Sequence, residues 1–203
     1  MSAGASPEGT GPVGGSDTVE GPGPGERLLA AVDTVDTWVD GIFAPLRGRP
    51  VVDGAAKVVT GLGDHGVLWT LVAVWRGRHS GPQRRAAVRA LGVAGVSSSL
   101  VNAGVKRVVG RERPDRSDLP ISDAGVPVRE PRTSSFPSGH TLAAFCSAAV
   151  LSRPGDRAGN RFLYSAAGLI AVSRIHLRAH HASDVVGGMA IGTALGLVVR
   201  RLR

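Results

Sequence analysis

The sequence predicts an all-α, membrane-embedded bundle of about five to six helices. Three observations carry that reading. Only 42% of the 203 residues are hydrophobic, but they gather in separate apolar runs with charged residues dense between them. The last run carries Gly188, Gly192 and Gly196, small residues at a spacing that lets helices approach closely. The arginines concentrate in alternate connections, as they do when successive helices cross a bilayer.

Residues 1–26 are rich in Gly, Pro, Ser and Ala without apolar periodicity, and are expected to form a disordered N-terminal tail. They lack the basic start and apolar centre of a secretory signal. Residues 27–203 form the expected single domain. In its first segment Leu28, Leu29, Val32, Val35, Trp38, Ile42 and Phe43 recur at helical spacing, beside Asp33, Asp36 and Asp40. Such a helix can lie on a membrane surface or pack against a bundle, and the pattern leaves both open.

Five apolar helical segments follow, at 58–75, 87–105, 139–152, 161–174 and 184–199. Their charge-free stretches are about ten to sixteen residues, short of the roughly 18 that identify a spanning helix. Length alone therefore also fits the buried helices of a soluble bundle. Charge placement favours the membrane. Arg76, Arg78, Arg84, Arg85 and Arg89, then Arg153, Arg157 and Arg161, then Arg200, Arg201 and Arg203 would share one side, which the positive-inside rule makes cytoplasmic. The connections 106–138 and 175–183 would face outward.

Net charge is +8 and rests on arginine, with only Lys57 and Lys106 as lysines. Nucleic-acid readers stack bases on aromatic side chains, and aromatics are 4% here, so no nucleic-acid partner is expected. Cys146 stands alone, which excludes an internal disulfide and a cysteine metal site.

Three clusters carry chemistry, and all fall in the outward connections or at their helix edges. In KRVVGRERP, residues 106–114, Lys106 and Arg113 offer a point charge and a planar fork to phosphate oxygens. A plain basic flank of a membrane helix reads the same way. In SSFPSGHT, residues 134–141, Pro137 suits a first helical position, Gly139 allows close approach of an anion, and His140 stands beside it as a general acid or base. In SRIHLRAHHASD, residues 173–184, His180 and Asp184 share a helical face, so that the carboxylate can fix the imidazole tautomer and make a competent nucleophile. Arg174 adds a second fork. His176 and His181 rival His180, and His176, His180 and Asp184 at four-residue intervals also suit a metal ion.

Taken together, Lys106–x6–Arg113–Pro114, Pro137–Ser138–Gly139–His140 and Ser173–Arg174–x5–His180–x3–Asp184 resemble the type 2 phosphatidic acid phosphatase (PAP2) superfamily, in its membrane lipid-phosphate phosphatase branch. The resemblance covers residues 106–184 in order and selects His180 over its rivals. It implies a haloperoxidase-like helical bundle with the active site at the ends of several helices. Lys106, Arg113 and Arg174 would hold the phosphate, with hydrogen bonds from Ser138 and the Gly139 backbone. His180 would form a phosphohistidine, oriented by Asp184. His140 would protonate the leaving oxygen and then activate water. No metal or other cofactor is implied. The expected partners are a lipid phosphate and membrane lipids, at an extracytoplasmic site of a multi-pass cell-membrane protein.

The superfamily's soluble acid phosphatases and vanadate haloperoxidases share the anion pocket, and a membrane protein that merely binds anionic lipid would need the cations without the histidines. The motifs read phosphate rather than lipid. They leave open a polyprenyl diphosphate, phosphatidic acid, phosphatidylglycerol phosphate or a polyprenyl-linked sugar phosphate such as decaprenyl-phosphoryl-ribose phosphate of cell-wall arabinan synthesis. Small-residue faces can pack within one chain or between chains, so a homo-oligomer also stays open.

Overall fold

The computed structural model describes residue 21 and residues 23–63, 66–78, 81–117 and 133–201. Most of the tail expected over 1–26 lies outside these residues. The described part is helical throughout: α1 (Pro24–Phe43), a 3-10 turn (Ala44–Leu46), α2 (Pro50–Gly63), α3 (Val67–Arg76), α4 (Gly81–Val109), α5 (Gly139–Leu151), α6 (Arg157–His176) and α7 (Ala182–Arg201). No strand occurs among the described residues.

The all-helical expectation holds, with one change in the partition. The segment read as one helix over 58–75 is divided between α2 and α3, which are bent by 66° to one another. Gly61, Gly63 and Gly66 punctuate the run, and Gly66 stands before α3 at φ 69°, a left-handed conformation that interrupts a helix. The chain consequently has seven α-helices among the described residues.

The glycines of α7 determine the centre of the bundle. A Cβ at Gly188 would stand 2.8 Å from the Ser138 carbonyl oxygen, and one at Gly196 would stand 2.5 Å from that of Cys146. Between them, a Cβ at Gly192 would collide with the carbonyl of Leu142. Three positions four apart on α7 thus meet three positions four apart at and along α5, in the same order. The two helices therefore run parallel, backbone against backbone, and their N-termini emerge at one end. Leu142 at this contact, and Leu163, Ile170 and Leu177 on and after α6, are fully buried. Cys146 packs with Ala90, Ala94, Val150 and Val199.

The other end is arginine-rich. Arg76 pairs with Asp156, and Arg153 Nη2 donates to the Arg76 carbonyl at 3.2 Å, which joins the end of α3 to the α5–α6 connection. Asp156 also caps α6, accepting the Gly159 amide at 2.9 Å.

The flanks of the bundle are apolar. Val88, Val93, Val96 and Leu100 on α4, Phe162 and Leu169 on α6, and Val186 and Val198 on α7 are exposed. Soluble monomers rarely present such continuous apolar surface, whereas a bilayer accepts it. Ala87–Val109 and Ala182–Arg201 are each long and apolar enough to cross a membrane; α5 is apolar but shorter.

Candidate functional site

The site forms where α4 and α6 end and α5 and α7 begin. Four helix termini at one end bring residues far apart in sequence to the same place, and a backbone bond from Ser138 to Asp184 holds the starts of α5 and α7 together.

The α6–α7 turn carries His180. The α6 helix closes at Leu177, and Arg178 takes a left-handed φ of 48°, the positive-φ non-glycine among the described residues. It is held there by Asp40, whose Oδ2 accepts from Arg178 Nη2 at 2.5 Å, and by the Asp115 carbonyl at 3.0 Å. The turn returns the chain so that the amides of Ala179 and His180 both donate to the Arg174 carbonyl, at 3.0 and 3.3 Å.

His180 is 3% exposed. Its Nε2 lies 3.4 Å from Arg113 Nη1, and its Nδ1 lies 3.7 Å from Asp184 Oδ2, beyond hydrogen-bond range. A guanidinium only donates. The ring nitrogen facing it is therefore the lone-pair nitrogen, and the ring proton belongs on Nδ1, toward the carboxylate. Burial pushes the His180 pKa down to about 4, against the pull of Asp184 and with the Arg174 and Arg113 cations adding to the fall. The imidazole is neutral at physiological pH.

Asp184 is fully buried and fully engaged. Oδ1 accepts from Arg111 Nη1 at 2.9 Å and Oδ2 from the His181 amide at 2.9 Å. Its own carbonyl accepts the Ser138 amide at 3.0 Å, which ties the start of α5 to the start of α7. Ser138 is buried as the N-cap of α5, and its Oγ accepts from the Thr141 hydroxyl at 3.0 Å. Pro137 precedes this cap rather than occupying the first helical position that its sequence suggested. Gly139 opens α5 against Asn102 of α4, where a Cβ would stand 3.1 Å from Asn102 Nδ2. His140 follows in the first turn, half-buried.

The cations converge from three elements. Lys106, in the last turn of α4, interacts through its charge with Arg113, Arg174 and Asp184, and its Nζ reaches the Thr133 hydroxyl at 3.4 Å. Arg113 donates from Nη1 to the Ala179 carbonyl at 2.7 Å. Arg174 is buried at the end of α6, and its Nη1 donates to Thr60 Oγ1 of α2 at 2.6 Å.

The rival histidines are occupied otherwise. His176 Nε2 is 2.7 Å from Asp53 Oδ1, a buried pair that clamps α6 to α2. His181 spends its amide on Asp184 and lies at the edge of a cavity of about 300 Å³ that also touches His180, Pro114, Arg178 and Asp40. Among the described residues, no group of three or more His, Cys, Asp or Glu side chains is arranged to hold a metal ion.

The model of one protein family, described as the PAP2 superfamily, matches residues 87–203, more than half of the chain. The chain belongs to the PAP2 superfamily. It is an enzyme of the PAP2 phosphatase type. Among PAP2 relatives, the decaprenylphosphoryl-5-phosphoribose phosphatase of Mycolicibacterium smegmatis is 30% identical, across 75% of this chain and 80% of that one. Phosphatidylglycerophosphatase B of Bacillus subtilis is 33% identical across 50% of each chain. The crystal structure of a transmembrane PAP2-type phosphatidylglycerolphosphate phosphatase from Bacillus subtilis superposes with a TM-score of 0.62 at 22% identity, over 85% of this chain and 86% of that one. Aquifex aeolicus LpxE superposes at 0.66 and 24% identity, over 82% and 95%. These two likenesses establish the PAP2 fold.

Several residues packed around this candidate site lie outside the residues that the sequence motifs single out. Arg111 lies inside the first cluster, yet only Lys106 and Arg113 stood out there. Asp36, Asp53 and Thr60 lie outside every motif and reach the site through packing alone. The one available signal was their helical spacing: Asp53, Lys57 and Thr60 are buried polar residues on one face of α2.

Proposed function

We propose that this PAP2 protein is a metal-independent lipid phosphate phosphatase that works through a phosphohistidine at His180. The observation that carries the reading is the placement of His180, buried with its Nε2 3.4 Å from the Arg113 guanidinium and its Nδ1 3.7 Å from the Asp184 carboxylate.

In the first step the Nε2 lone pair attacks phosphorus in line, an N–P bond forms, and the bond to the lipid oxygen breaks. His140 gives its proton to the leaving oxygen, so that a neutral alcohol or a lipid monophosphate departs. The ring becomes cationic as it bonds to phosphorus, and the Asp184 carboxylate stabilises that charge. In the second step His140 takes a proton from water, the oxygen of that water attacks phosphorus, the N–P bond breaks, and inorganic phosphate leaves with His180 neutral again. Lys106, Arg113 and Arg174 offset the charge on the phosphoryl oxygens throughout, with hydrogen bonds from Ser138 and the Gly139 backbone. Three fixed cations supply the electrostatic stabilisation that a metal would otherwise provide.

The arginine-rich end opposite the site supports a multi-pass arrangement with the site on the extracytoplasmic side. For substrate, the relative matched over most of both chains supports a polyprenyl-linked sugar phosphate ahead of a glycerolipid. Purified protein should release phosphate from such lipids with chelator present, and His180→Ala and His140→Ala should not. Turnover that vanishes with chelator, or survives in His180→Ala, would overturn the reading.

A further inference from the structure

A network of ion pairs links α1 to the Asp184 carboxylate. Arg111 bridges the two: Nη1 donates to Ser183 Oγ at 2.5 Å and to Asp184 Oδ1 at 2.9 Å, and Nη2 donates to Asp36 Oδ2 at 2.7 Å and to Asp33 Oδ1 at 3.3 Å. Asp36, 6% exposed, also takes the first turn of α7 directly. Its Oδ1 accepts the Ser183 amide at 2.7 Å, and its Oδ2 accepts the Ser183 hydroxyl at 2.6 Å. A carboxylate from a distant helix thus caps the N-terminus of α7 and anchors the arginine that holds Asp184.

We propose that Asp36 and Arg111 are positioning residues that set the separation between Asp184 and His180. The inference rests on the function proposed above. With Oδ1 drawn to Arg111 and Oδ2 to the His181 amide, Asp184 stands off from Nδ1 by 3.7 Å. The resting imidazole stays neutral, while the carboxylate remains near enough to stabilise the ring once phosphorylation makes it cationic. Without the clamp, the carboxylate is released to hydrogen-bond Nδ1. It then favours the protonated ring before substrate arrives, and the nucleophile is lost at mildly acidic pH.

The other charges around His180 act in both directions. Arg113 from the segment after α4 and Arg174 from α6 oppose protonation, with Lys106 of α4 reaching Asp184. Asp33, Asp36 and Asp40 of α1 share the cavity beside the ring with Arg178 and His181. Among these, Arg111 is the cation bonded to the carboxylate that faces Nδ1.

Asp36→Asn keeps an acceptor for the Ser183 amide but places an NH2 where Arg111 donates. Arg111→Gln removes the bridge itself. In both, kcat/KM on a lipid phosphate should fall about fivefold below wild type at about pH 4, where the released carboxylate keeps the ring mostly protonated. The acid limb of kcat/KM should move up by about one pH unit. A variant that merely melts earlier, with kcat/KM and its acid limb unchanged, would reduce α1 to a structural prop and overturn the inference. The two readings fail separately. A wild-type protein without phosphatase activity removes the proposed function, but 15N shifts of labelled histidine, with His180 assigned from its loss in His180→Gln, still report the ring. An unchanged titration of His180 in Asp36→Asn and Arg111→Gln would overturn the positioning role by itself.

Discussion

The amide of Ser138 donates to the carbonyl of Asp184 at 3.0 Å, and this bond sits at the apex of two parallel helices. It joins the turn that carries His140 to the turn that carries His180. His140 and His180, 40 positions apart in the chain, therefore keep their register only as long as α5 and α7 keep their spacing. That spacing depends on glycine, because the carbonyls of Ser138, Leu142 and Cys146 occupy the places that side chains on α7 would need.

Gly192→Val should therefore separate the two helices at mid-length. The expected loss is about 1–3 kcal/mol of stability, the usual cost of overpacking, together with reduced kcat from the displaced Ser138–Asp184 contact. Thermal unfolding in detergent and turnover of the surviving folded fraction check both. Wild-type stability in this variant would contradict the parallel packing.

His176 and His180 lie four residues apart and should behave oppositely. His176→Ala removes one partner of the buried Asp53 carboxylate, which keeps the Gly48 amide on Oδ2, and should cost on the order of 1–3 kcal/mol. Folded His176→Ala protein should still take up phosphate at His180. Loss of phosphoryl uptake by a fully stable His176→Ala variant would reverse the two assignments.

Burial holds the His180 pKa at about 4, below the value of about 6.5 for a free imidazole. The depressed pKa means the lone pair is present above pH 4 and is lost only as pH falls through that value. At about pH 5.5 an ordinary imidazole would be about nine-tenths protonated, whereas His180 stays neutral. A kcat/KM profile should accordingly keep its activity at that pH and fall off near 4. The same shift ties stability to pH: the unfolded chain takes up a proton below about 6.5 that the folded site refuses. The folded state should weaken as pH drops from there toward 4. An acid limb near 6.5 would contradict the buried, neutral nucleophile.

Much of this site is legible in the chain because its parts are local. Pro137 to His140 is one short segment, and His180 stands four residues before Asp184, in the turn that enters α7 rather than on the shared helical face its spacing suggested. The glycines of α7 announce close approach, but not that α5 is the partner or that the two run parallel. Those follow from the way the segments stack. The division of 58–75 comes at Gly66, whose left-handed backbone a helical pattern of apolar residues does not reveal. Helix α1 packs against the bundle, one of the two arrangements its pattern left open: Asp36 sits on the start of α7, while Leu28, Leu29, Val35, Trp38 and Ile42 are exposed. Asp36 and Arg111 are 75 positions apart, and no period in the sequence connects them. Long-range ion pairs of this kind form through tertiary packing and leave no local trace.

The most direct test is to quench the reaction of purified protein with a phosphorus-labelled lipid phosphate, in chelator, within a single turnover. The label should be found on the peptide containing His180, acid-labile and base-stable, and should be absent from His180→Ala. Label on another residue, or turnover with no covalent phosphoryl-enzyme in the wild type, would contradict the nucleophile assigned here.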